Sequence, residues 1–144
     1  LENPSAYGLK GVWRNLRVPV NSSDFIAFAK DCEKRNDEIG YRNAVARAYY
    51  GAYHHVLPCL TMGPKESHQG LIDYLVNDAW KGNEPFEKRD LIGLGYALQS
   101  LKDQRIVCDY RLNDTITSTQ SSTAIKTAEK LIQRCANMTK SKAS

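Results

Sequence analysis

The chain has 144 residues and a mass of 16.2 kDa, one ordinary domain, long enough to bury roughly 70% of its unfolded surface. Apolar residues make up 42% and charged residues 25%, which excludes disorder and low-complexity fibres, and no apolar run approaches the ~18 residues of a membrane span. Lys plus Arg is 20 and Asp plus Glu is 16; the net +4 suits a polyanionic partner without demanding one.

Residues 1–21 carry two Pro and two Gly and no sustained period. They read as an extended arm, with Leu9, Val12 and Trp13 packing back on the body. Asn21-Ser22-Ser23-Asp24 is a helix start signal. Phe25, Phe28, Ala29 and Cys32 follow at helical spacing, so a first helix is expected over 24–36. A second runs from Asp37 to Leu57 and stops at Pro58, which cannot donate to the preceding turn. Residues 58–64 form a loop. A third helix covers 65–80, with Leu71, Ile72, Leu75, Val76 and Ala79 on one face. Gly82-Asn83-Glu84-Pro85 breaks it. A fourth spans 86–111 through Leu91, Leu94, Leu98, Leu101 and Cys108. Residues 113–121 are mostly Thr, Ser, Asn and Asp, a turn cluster. A fifth covers 122–137 through Ile125, Ala128, Leu131, Ile132 and Cys135, and the basic tail 139–144 is expected to fray. No alternating strand pattern competes. The expected fold is an all-α, up-and-down bundle of four to five helices over residues 22–138.

The four cysteines are no closer than 27 residues apart, so no zinc-binding pair is spelled out. Three fall at apolar helical positions and read as buried free thiols of a reducing compartment. No secretory leader is visible, and the expected location is the cytoplasm. The chain starts at Leu1, so residues ahead of it are expected to have been processed, trimmed or cut from a longer chain.

The second helix carries the functional argument. At about 100° per residue, Val45, Tyr49, Ala52 and Val56 gather into one stripe, the inward one. Asn43, Arg47, Tyr50 and His54 gather on the opposite side. An outward polar stripe is ordinary on a bundle helix. This one, however, lacks the Lys and Glu of solvated faces. It also lies on a helix with five rings between residues 49 and 55 (Tyr49, Tyr50, Tyr53, His54, His55). Such a face points to a second surface, either a dimer partner or a ligand.

Arg and His together suit cleavage of an RNA phosphodiester. Imidazole moves a proton near neutrality, and guanidinium stabilises charge on the phosphorane. The nucleophile is the substrate's own 2′-hydroxyl, so no metal or cofactor is required, and the product carries a 2′,3′-cyclic phosphate. One imidazole does not readily serve as both acid and base. A symmetric dimer would join two stripes in one cleft.

The segment Ala46-Arg47-Ala48-Tyr49-Tyr50-Gly51-Ala52-Tyr53-His54 resembles the "SRAYYAAFH" signature of the HEPN superfamily. Ser67 to Ile72 is similar to that family's segment after the loop. Leu101 to Tyr110 resembles its "R-x-x-A-D-Y" segment, with Cys108 in place of Ala. The likeness covers about residues 24–136. It implies a helical bundle and, for many members, a metal-independent RNase with an Arg-x4–6-His motif. Six residues separate Arg47 from His54, and seven separate it from His55. It also implies dimers, toxin–antitoxin or phage-defence roles, and a bacterial or archaeal cytoplasm. Other members bind a nucleotide, or pair with a nucleotidyltransferase or antitoxin, without catalysis.

Supporting residues follow. His68, early in the third helix, is either an ordinary polar residue there or part of the same cleft. His55 points about 100° away from His54 and reads as structural. The three histidines lack an acidic partner at ligand spacing, so no metal is expected. Arg105 and Asp109, at i and i+4, either pair on the helix surface, or Asp109-Tyr110 braces Arg47 across the bundle.

Overall fold

A computed structural model describes residues 19–143. They form an all-α bundle: α1 (Ser22–Glu33), α2 (Glu38–Val56), α3 (His68–Asn77), α4 (Lys88–Tyr110) and α5 (Ser118–Ala143). A short 3-10 turn over Leu57–Cys59 follows α2, and a wide π-type turn over Ala79–Asn83 follows α3. The expected contacts of Leu9, Val12 and Trp13 lie outside the described residues. No described helix is long and apolar enough to cross a membrane.

Four of the five helices start where a side chain supplies an acceptor for free first-turn amides; α4, which follows Glu87, starts without one. Asn21 and Asp24 form a reciprocal capping box on α1, with Ser23 N donating to Asn21 Oδ1 (2.9 Å) and Asn21 N to Asp24 Oδ2 (2.8 Å). Asp37 caps α2 by accepting from Gly40 N at 3.0 Å. Ser67 caps α3, so that helix begins at His68 and not at 65. The turn cluster ends earlier than expected because Thr117 and Gln120 make a second capping box, with Thr117 N donating to Gln120 Oε1 at 2.7 Å. α5 also continues through residues 139–143, the segment expected to fray. Met138 is buried there, and the Thr139 hydroxyl donates to Cys135 O, which ties that turn to the body.

α2 is the central helix. It packs against α1, α4 and α5. Val45, Tyr49, Ala52 and Val56 are all buried, as their stripe requires. The small residues Ala44, Ala48 and Gly51 are buried as well and let α1 approach closely. A Cβ on Gly51 would come within 2.8 Å of Ile26 Cδ1. That close approach centres the inward face of α1 on Ile26, Ala29 and Cys32 and turns Phe28 outward, 55% exposed. The leucines of α4 and the apolar residues of α3 and α5 complete the core, with Val76 and Ile132 at its edge. All four cysteines are free, and Cys59 is the half-buried one.

Two buried charges join elements distant in sequence. Arg42, 5% exposed, donates from Nη1 to Cys108 O (2.8 Å) and from Nη2 to Arg111 O (3.2 Å) and Asp114 O. Its Nε meets Glu38 Oε2 at 2.9 Å. One guanidinium thus caps the carbonyl end of α4 and the loop after it. Glu84 moors the loop ahead of α3: it accepts from Thr61 N (2.7 Å), Met62 N (2.8 Å) and the Tyr74 hydroxyl (2.5 Å).

Burial pushes the Glu84 carboxyl up, but the Thr61, Tyr74 and Met62 donors outweigh it and hold the group below the usual carboxylate range. The folded chain therefore takes up this proton less readily than the unfolded one. The stabilisation is complete above the unfolded value and is lost as pH falls through the lowered folded value. Glu84→Gln should lower stability near neutrality and flatten that acid limb. Urea midpoints measured at about pH 7 and about pH 3 test this; an equal loss at both would remove the carboxylate from the account.

Candidate active site

The outward stripe is the one strip of α2 left open by its three neighbours. Asn43 and His54 are exposed, and Arg47 and Tyr50 are half-buried. Asn43 spends its amide on Ile39 O, 2.9 Å away, and so sits at the quiet end. The other end is organised around the Tyr50 ring. The Arg47 guanidinium lies over it, with Cζ 5.0 Å from the ring centroid. The His54 ring stacks beside it at 6.5 Å, and also touches Phe25 (5.1 Å) and Tyr53 (5.3 Å).

α4 contributes a second guanidinium. Arg105 Cζ lies 5.6 Å from the Tyr50 centroid and 5.7 Å from that of Tyr49. Its Nη1 donates to the Tyr50 hydroxyl (3.2 Å) and to Asp109 Oδ2 (3.3 Å). Its Nε is buried with no hydrogen-bond partner. Asp109 thus pairs with Arg105 along α4. Among the described residues it does not brace Arg47, and Tyr110 points to solvent, 71% exposed.

α3 brings His68 to the same place. Its Nδ1 lies 2.6 Å from the Tyr49 hydroxyl. Its ring stacks on Tyr53 at 4.1 Å and 10°, and Tyr50 meets it edge-on at 5.9 Å. Burial lowers the His68 pKa, and the charges of Arg105, Lys102 and His54 lower it further. Lys102 is held nearby by Gln69 Oε1 at 2.7 Å. So Arg47, Tyr50, His54, His68 and Arg105 come together, with Asp109 behind Arg105 and Asn43 set apart.

His55 lies outside this group, as its angle on the helix requires. It is half-buried, its Nδ1 is 2.9 Å from the Ser22 hydroxyl, and burial lowers its pKa. His54 also lines an open cleft of about 860 Å³ with Phe25, His55, Cys59, Phe86 and Lys142. Sequence reasoning missed two residues. Tyr49 was read as core alone, yet it holds His68. Lys102 was not singled out, although it stands one turn before Arg105 on the same face of α4 and adds to the positive field.

In chemical terms, two guanidiniums flank one aromatic ring, two imidazoles share the same face, and the one carboxylate that pairs with them lies behind Arg105. Such a set favours an anion carrying several oxygens, and it can move protons near neutral pH. Comparison of the chain with protein-family models, with curated proteins and with solved structures gives no match.

Proposed function

We propose that the chain is a metal-independent endoribonuclease of the HEPN type that works as a homodimer. One observation carries the reading: Arg47 and His54 project from the single open strip of α2 and meet at the Tyr50 ring, where Arg105 adds a second guanidinium. The order of the three sequence segments that resemble the family supports it. In this reading the 2′-oxygen attacks phosphorus and the P–O5′ bond breaks. His54 serves one of the two proton transfers, and the same residue of a second copy serves the other. Arg47 stabilises the charge on the phosphorane oxygens. The setting is a cytoplasmic toxin–antitoxin or phage-defence pair.

Incubation with total RNA in EDTA should give fragments with cyclic-phosphate ends. Binding should weaken steeply with salt, because each cationic side chain displaces counterions from phosphates. The chain should sediment as a dimer at micromolar concentration, with Tyr50 and His54 near the two-fold axis. A monomer would remove the two-copy mechanism. Intact RNA, together with salt-insensitive binding of a mononucleotide or a nucleotidyltransferase, would favour the other reading, a non-catalytic HEPN module.

A further inference from the structure

The buried phenol of Tyr49 fixes the protonation of its neighbour. Burial raises its pKa, against the opposing charge of Arg105, so it keeps its proton. A buried hydroxyl needs an acceptor, and the described partner of this one is Nδ1 of His68. Tyr49 therefore donates, Nδ1 accepts, and the hydrogen of the neutral imidazole resides on Nε2. The groups facing the ring all oppose a positive charge on it or carry none: Arg105 and Lys102 from α4, and His54, Tyr49, Tyr50 and Tyr53 from α2. His68 is also the first residue of α3, where the helix dipole acts in the same sense. Arg105 Nε is the sole described side-chain nitrogen or oxygen both buried and without a partner. No described residue hydrogen-bonds His68 Nε2, and the residue as a whole is half-buried.

We infer that His68 is a tautomer-locked, uncharged N–H donor to a non-bridging oxygen of a bound phosphodiester, and neither a second acid nor a second base. This rests on the RNA-cleaving reading for its role in catalysis. A donor whose ring is already clamped by Tyr49 and Tyr53 needs no reorganisation as charge develops on the phosphorane. A neutral imidazole at a helix N-terminus can polarise an oxygen without giving up its proton.

Imidazole nitrogen NMR on the whole chain reads the tautomer directly. At neutral pH, His68 should show hydrogen on Nε2, and Tyr49→Phe should abolish that bias. Titration with inorganic phosphate should shift Nε2. In the RNA assay, His68→Ala should lower kcat about 100-fold, and His68→Gln, which keeps an N–H donor, about tenfold. Neither variant should delete a limb of the pH–rate profile. Hydrogen on Nδ1, an Nε2 that ignores phosphate, or a lost limb overturns the donor. If both NMR readings hold and the wild-type chain cuts no RNA, the nuclease reading falls and His68 stands as a phosphate-binding donor. If RNA is cut and the NMR readings fail, the donor alone falls.

Discussion

Arg47→Ala and His54→Ala should each abolish RNA cleavage and leave the bundle folded. A positioned proton-transfer group contributes roughly 100- to 10,000-fold, and a charge-stabilising donor roughly 100- to 1,000-fold. The fold should survive because neither side chain makes a hydrogen bond or ion pair to another described residue. Arg47 gives up its place over Tyr50, worth about 0.5–1 kcal/mol, and the exposed His54 gives up ring contacts alone. His55→Ala is the internal control. It should keep most activity while losing about 1 kcal/mol of stability with the Ser22 hydrogen bond. Circular-dichroism melts alongside cyclic-phosphate assays decide the matter. An active His54→Ala beside a dead His55→Ala would place the chemistry in the cleft lined by Phe25 and Cys59 instead.

The largest loss of stability should come from Arg42→Ala. Its guanidinium satisfies carbonyls of Cys108, Arg111 and Asp114 and pairs with Glu38, almost wholly out of solvent. Removing one member of such a buried set costs about 3–5 kcal/mol, which for a chain of this size lowers Tm by about 10–17 °C. Arg42→Lys should recover less than half of that, since one ammonium cannot follow the planar fork to three carbonyls and a carboxylate. Calorimetry of the three proteins is the test. A Tm within about 2 °C of the parent in Arg42→Ala would mean that water replaces the clamp.

The helices were legible because their apolar periods are regular and Pro58 and the Gly82-to-Pro85 break are strong punctuation. The inward stripe of α2 was legible for the same reason, and with it the outward placement of Arg47, Tyr50 and His54. What periodicity does not encode is which neighbour a face meets. Phe28 sits at a helical spacing that fits either side of α1, and the close approach at Gly51 decided it. Arg42 looked like one more charge on a helix, because its partners lie 66 to 72 residues away. The pairing of Tyr49 with His68 has the same character, since a tyrosine in a core stripe gives no sign that its hydroxyl has a partner. One miss was avoidable: Thr117-x-x-Gln120 is a capping signal in plain sight, hidden by the polar cluster around it.

The wrapping of α2 by three helices has a consequence for motion. Local opening of a segment costs the contacts it must shed, and α2 is walled by α1, α4 and α5. Its backbone amides should therefore exchange with solvent through unfolding of the whole chain and not through partial opening. Arg47, Tyr50 and His54 should then stand on the most slowly exchanging helix of the described bundle, although their side chains reach water. Their mutual geometry is then set when the chain folds and is not reassembled at each encounter with a ligand.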